Sequence, residues 1–127
     1  MTEISKKYSL LAAGELLADL IGVDFAPDLF STESFRRLQG GSPANLAANM
    51  ARLGHHTALV ACVGNDKLGQ YLTAEIAKTG VDTSFVVQDT SHPTSLVLVS
   101  RTRSPPDFIA YREADSQLLA AHFPDSL

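Results

Sequence analysis

One cysteine in 127 residues leaves nothing to pair with inside the chain, and no Cys-x-x-Cys or Cys/His cluster offers structural zinc. Basic charge is not in excess either. Ten Lys+Arg against fourteen Asp+Glu leave a net charge of −4, which excludes an electrostatic footprint for nucleic acid or an anionic membrane surface. No stretch approaches the ~18 consecutive apolar residues that cross a bilayer. There is no N-x-[ST] sequon. Lys6 and Lys7 precede an apolar stretch from Tyr8 to Ala13, but Glu15 and Asp19 interrupt it too early for a signal peptide. A soluble, cytoplasmic chain is therefore expected. What is present is ordinary globular material, 45% hydrophobic and 19% charged. The length fits one domain able to bury roughly two-thirds of its unfolded surface.

Strand-like and helix-like segments alternate through the first two-thirds. Tyr8 to Ala13 is a short apolar run stopped by Gly14, which suits a buried strand, and Leu16 to Val23 suits a second strand containing Asp19. Residues 24–32 read as a loop. Ser42 as N-cap, Pro43 at the first helical position and Gly54 as the stop frame a helix. Leu46, Met50 and Leu53 at i, i+4 and i+7 give it an apolar stripe, and its alanines keep it slim. Thr57 to Val63, ended by Gly64, reads as a strand covered on both faces. Asn65 or Asp66 can cap a second helix whose Leu68, Leu72 and Ile76 recur every four residues before Gly80. This order predicts right-handed parallel βαβ units over 8–23 and 40–82. After Gly80, three β-like segments (Ser84–Gln88, Thr94–Arg101, Phe108–Arg112) follow without helices between them. Together with 33–39 they predict a separate small sheet, before a last helical piece near 115–122. So few central strands leave an open sheet with an unprotected edge, so that the sequence reads as the first part of something larger.

Gly40-Gly41-Ser42-Pro43-Ala44-Asn45 holds the densest chemistry. Two glycines let the backbone approach a ligand, and the helix start offers free N–H donors. Asn45 supplies a donor and an acceptor suited to adjacent sugar hydroxyls, and the Asp19 carboxylate can accept from further hydroxyls. The plain alternative is a strand-to-helix turn with Asn45 on the surface. Arg112 also has two readings: a contact for an acidic or phosphorylated sugar, or a surface salt bridge to Glu113 or Asp115.

Gly14-Glu15 with Asp19, Gly40-Gly41-x-x-x-Asn45-x-Ala47, Ala51-Arg52-Leu53-Gly54, Val63-Gly64-x-Asp66-x-x-Gly69 and Gly80-Val81-Asp82 follow one another along nearly the whole chain. In that order they resemble the ribokinase-like (PfkB-type) carbohydrate kinases. The resemblance implies the N-terminal part of a Rossmann-type α/β/α domain with a small β-sheet lid over a sugar site. It implies ATP-dependent phosphorylation of a sugar hydroxyl in the complete protein, with ATP and Mg2+ as cofactors and a homodimer through the lid. Asp19, Gly40, Gly41 and Asn45 would hold the sugar, with Arg112 a further candidate. Fructose and 2-keto-3-deoxygluconate are the candidate substrates. Arg112 resembles a lid arginine of the ketodeoxygluconate kinases, although Ala110 stands where these tend to carry an aromatic.

The family's D-T-x-G-A-G-D motif, which supplies the general base and an anion hole, has no counterpart: neither Asp82-Thr83 nor Asp89-Thr90 is followed by Gly-Ala-Gly-Asp. The C-terminal ATP-binding half is thus absent from these 127 residues, and no catalytic, nucleotide-binding or metal-ligating residue is assigned within them. The expectation is a sugar-binding half that is inactive alone, or else a non-catalytic sugar-binding or dimerisation module. Other motifs fail on chemistry. Gly64-x-x-x-x-Gly69 is followed by Gln70-Tyr71 where a P-loop needs Lys-[ST]. His55-His56 read as a solvated loop and Cys62 as inert packing.

Overall fold

The computed structural model describes residues 7–125. A fully parallel three-stranded sheet forms the centre, in the order β1 (Leu10–Ala13), β4 (Thr57–Gly64), β5 (Val86–Asp89). β4 is buried at every position, as a continuous apolar run must be when both faces are covered. Cys62 lies within it, 1% exposed, and burial pushes its thiol up. The second sheet has the order β3 (Phe35–Gly40), β2 (Leu17–Phe25), β6 (Leu96–Arg101), β7 (Phe108–Tyr111). β2 runs antiparallel to β3 and parallel to β6, and β7 closes the sheet antiparallel to β6.

Two strands sit in the opposite sheet from the one expected. The segment from Leu16 leaves the central layer after the turn at Gly14. Leu16 and Ala18 stay buried against the core, and from Leu17 onward the strand pairs in the second sheet. Conversely, β5, taken from the sequence as part of the small sheet, is the third central strand, reached from β4 by a parallel crossover. A short apolar run carries no label for its sheet; the connections around it decide.

Helix α1 (Ser42–Arg52) packs on β1 and β4 through Ala44, Ala47 and Ala48. The expected leucine stripe faces outward instead, with Leu46 51% and Leu53 74% exposed. The sheet is so close that only methyl side chains fit beneath the helix. Ser42 is the first helical residue rather than the cap; Gly41 precedes the helix and no side chain on it caps the end. Helix α2 (Lys67–Ala77) behaves as expected, with Leu72 and Ile76 fully buried. Each such side chain contributes about 1.5–3 kcal/mol by leaving water. The expected terminal helix is instead two 3-10 turns, Ala114–Gln117 and Ala120–His122.

Asp66, not Asn65, caps α2 by accepting from the Gly69 N–H at 2.8 Å. The same carboxylate accepts from the Thr94 N–H at 2.9 Å and the Thr94 hydroxyl at 2.7 Å, while the Thr94 oxygen accepts from the Gly64 N–H at 2.9 Å. Burial pushes the Asp66 carboxyl up, but these donors outweigh it and hold it below the usual range. The start of β6 is thereby fastened to the end of β4 and the start of α2. A second tie comes from Tyr71, whose ring lies 3.6 Å beneath the Arg37 guanidinium of β3. Asp82 accepts from the Ser84 and Tyr8 hydroxyls, which hold its carboxyl down to about 2.

Candidate functional site

The two sheets meet where β3 ends and α1 begins, and the glycine pair stands at that corner. Gly40 is paired with Leu17 at the end of the β2–β3 ladder. A Cβ on Gly40 would fall on the Asp19 carboxylate and displace it. Gly41 has φ +106, and a Cβ there would fall on the Glu15 carbonyl oxygen. Position 41 is thus restricted to glycine by both its φ and the backbone opposite it.

Asp19 projects from β2, two residues beyond the Gly40 pairing. Burial, then the charge of Glu15, push its carboxyl above the usual carboxylate value. Among the described residues no hydrogen-bond donor reaches that carboxylate, and no cation lies within 4 Å of it. Asn45 is exposed in the first turn of α1. Its side-chain oxygen accepts from Gln39 Nε2 at 3.1 Å, which orients the amide and leaves its two N–H donors to solvent.

Glu15 was given no site role by the sequence, yet it joins the corner together. Its Oε1 accepts from the Ser42 N–H at 3.4 Å, where α1 has no capping side chain, and its Oε2 pairs with Arg112 Nη2 at 2.8 Å. A carboxylate at a helix start is favoured by the free N–H groups there. Arg112 follows β7 and donates through Nε to Asp115 Oδ2 at 2.7 Å, with Nη2 on the same oxygen. The Asp115 side chain is 2% exposed, so this pair is not the surface salt bridge that the sequence allowed. Burial pushes Asp115 up, but the hydrogen bonds from Arg112 and Ser95 outweigh it and hold the carboxyl below its usual range. The Ser95 hydroxyl donates to Asp115 and accepts from the Glu113 N–H at 2.9 Å and the Asp115 N–H at 3.2 Å.

All five sequence candidates therefore gather, Asp19, Gly40, Gly41 and Asn45 directly and Arg112 through Glu15. Gln39 and Ser95 were missed as partners, whereas Asp115 was named as one possible partner of Arg112. No spacing in the sequence pointed to Gln39 or Ser95, whose partners Asn45 and Asp115 lie 6 and 20 positions away. The ring of groups is polar, mostly acidic and backbone-rich, a lining suited to hydroxyls.

Residues 7–127 match the family described as pfkB family carbohydrate kinase. The chain belongs to that family. It is 40% identical over 110 residues to the ATP-dependent 6-phosphofructokinase of Thermoanaerobacterium thermosaccharolyticum, covering 87% of this chain and 34% of that protein. To the 5-dehydro-2-deoxygluconokinase of Lacticaseibacillus casei it is 38% identical over 122 residues, covering 92% of this chain and 37% of the other. The solved fructokinase of Halothermothrix orenii superposes with a TM-score of 0.82 at 36% identity, over 87% of this chain and 40% of that one. The sugar kinase PH1459 of Pyrococcus horikoshii, solved in complex with ATP, superposes with a TM-score of 0.80 at 39% identity, over 84% and 35% of the two chains. The chain spans about a third of the length of the curated relatives it matches.

The ribokinase-like α/β fold follows from these superpositions. In this chain Gly64, Asp66 and Gly69 fasten β4 and α2 to Thr94 at the start of β6. Among the described residues no three His, Cys, Asp or Glu side chains gather as a cation site, and no helix is long and apolar enough to cross a membrane.

Proposed function

We propose that this chain is the sugar-holding part of an ATP-dependent carbohydrate kinase acting in the cytoplasm, on a sugar of the fructose or 2-keto-3-deoxygluconate class. The observation that carries this reading is the Asp19 carboxylate: half-buried, without a donor among the described residues, raised by burial and by Glu15, and pressed against Gly40. A fold that spends stability to hold a charge in such a place is characteristic of a binding site. Sugar hydroxyls would donate to Asp19, and the Asn45 amide would contribute the N–H donors that Gln39 leaves unused. Gly40 and Gly41 keep the floor of the site open by having no side chain.

Two substitutions test this. Asp19→Asn is expected to raise the thermal midpoint at neutral pH, since the charge is what folding disfavours, while weakening sugar binding. Asn45→Ala is expected to weaken binding about tenfold or more by removing a paired polar contact, without loss of helix. Calorimetric titration with fructose and 2-keto-3-deoxygluconate reads both. Unchanged affinity in both variants would refute the site.

The 127 residues alone are expected to transfer no phosphate from ATP to either sugar, because phosphoryl transfer needs a positioned base and charge stabilisation and the D-T-x-G-A-G-D motif has no counterpart here. A coupled assay detecting ADP would overturn that expectation. A second reading, a dimerisation module, is favoured by the second sheet, where Val23, Phe25, Phe108, Ile109 and Tyr111 are each at least 43% exposed. Sedimentation of the chain decides whether that sheet pairs with a second copy.

A further inference from the structure

Helix α2 grips the second sheet on both sides of β2, the strand that carries Asp19. In that sheet β2 lies between β3 and β6. At its start α2 is tied to the approach to β6, because Asp66 accepts from the Thr94 N–H and hydroxyl. Further along, Tyr71 stands against β3. The Arg37 guanidinium lies 3.6 Å from the centre of the Tyr71 ring, and the Tyr71 hydroxyl is 3.5 Å from the Arg37 carbonyl oxygen. The ring is half-buried against the hydrophobic core, which gives it a fixed seat. Arg37 is exposed, and among the described residues no carboxylate oxygen comes within 4 Å of its guanidinium. The aromatic face is therefore its partner, a surface that a flat cation suits.

Arg37 pairs with Leu20, and its neighbour Leu38 pairs with Asp19. Directly opposed residues share a face and successive residues alternate, so Arg37 lies on the face away from Asp19. It acts on the site through the backbone. Three residues beyond Arg37 the strand reaches Gly40, which lies against the Asp19 carboxylate. β3 is an edge strand, so no further strand of that sheet holds it there.

We infer that Arg37 and Tyr71 are positioning residues: their contact pins β3 to α2, which keeps Gly40 against Asp19 and the sugar site in shape. The effect on binding rests on the sugar-site reading above. With the pair broken, β3 and Gly40 draw away from Asp19 in part of the molecules. A site formed in only a fraction of them binds in proportion to that fraction. Asp19 then gains water, and since burial is the first cause of its raised carboxyl, its titration moves down.

Calorimetric titration of the chain with fructose and 2-keto-3-deoxygluconate, together with a carbon-13 NMR titration of the Asp19 carboxyl, tests this. R37Q is expected to weaken sugar binding about two- to fivefold, the range that an exposed cation–π contact converts to. Asp19 is expected to titrate lower in R37Q than in the wild type. Loss of a cation by itself would raise that titration, so a fall reads the movement and not the lost charge. R37K is expected to restore part of both, and Y71F, which keeps the ring, to stay nearer the wild type than Y71L. R37Q and Y71L together are expected to lose little more than either alone. Arg37 is exposed, so R37Q carries the test even if Y71L does not fold. An Asp19 titration that R37Q leaves in place or raises overturns the inference, whatever the affinity does, and leaves the sugar site standing. A lowered titration with unchanged affinity supports the pinning of Gly40 and overturns Asp19 as a sugar contact. Binding of neither sugar by the wild type overturns the sugar-site reading, and the Asp19 titration still decides the pinning.

Discussion

Asp115→Ala is expected to destabilise the chain by about 2–4 kcal/mol, the range for removing one partner from a buried charged network. The thermal midpoint should fall by roughly 10 °C for a domain of this size. The Asp115 side chain is 2% exposed and accepts from Arg112 and Ser95. Without it, the Ser95 hydroxyl proton is buried with no acceptor, and Arg112 keeps only Glu15. Because Arg112 then swings free of its anchor, Glu15 loses its fixed position beside the Ser42 N–H, and sugar affinity should fall along with stability. Acid should act on the wild type in the same direction. The Asp115 carboxyl is lowered in the folded state, so its contribution is complete above the ordinary carboxylate value and is lost as pH falls through the folded value. Asp19 is raised in the folded state and works with the opposite sign, since protonating it removes a charge that folding disfavours. Chemical denaturation at pH 7 and near pH 3 should show the wild type losing more stability between the two than Asp115→Asn does. An equal loss in both would remove Asp115 from the account.

The second large effect belongs to Gly41→Ala. Position 41 has φ +106, which costs an L-residue about 1–3 kcal/mol, and the added methyl would fall on the Glu15 carbonyl oxygen. The clash is with backbone, so no rotamer change relieves it. Either the turn into α1 shifts, moving Asn45 away from Asp19, or Glu15 is displaced and α1 loses its charged partner. A combined loss of about 3 kcal/mol or more in folding is expected, with sugar binding abolished. A control is Gly54→Ala. Gly54 also has positive φ, but a Cβ there meets nothing within 4 Å, so only the conformational cost remains. Similar losses at both positions, read by urea denaturation, would mean that the close approach at Gly41 does not matter.

The elements themselves were legible because each rests on local pattern. The apolar run from Thr57 to Val63, the four-residue spacing of Leu72 and Ile76, and the breaks at Gly54, Gly64 and Gly80 appear in the fold where the chain shows them. The glycine pair beside Asn45 was legible as well, since a close backbone approach at a helix start has a direct sequence signature. Pattern also misled at the first helix. The spacing of Leu46, Met50 and Leu53 is helical, but periodicity names the period of a helix and not which of its faces lies on the sheet, and the alanine face won because the layers are close.

Sequence by itself determined the order of strands and helices, the corner at Gly40-Gly41 and the family to which the chain belongs, because all of these are encoded in residues adjacent along the chain. Tertiary structure alone decided that β2 leaves the central sheet and β5 joins it, and that Glu15 meets both Ser42 and Arg112. Those facts depend on contacts between residues as far as 97 positions apart. Such contacts arise only when the two sheets are brought together, and no local spacing records them.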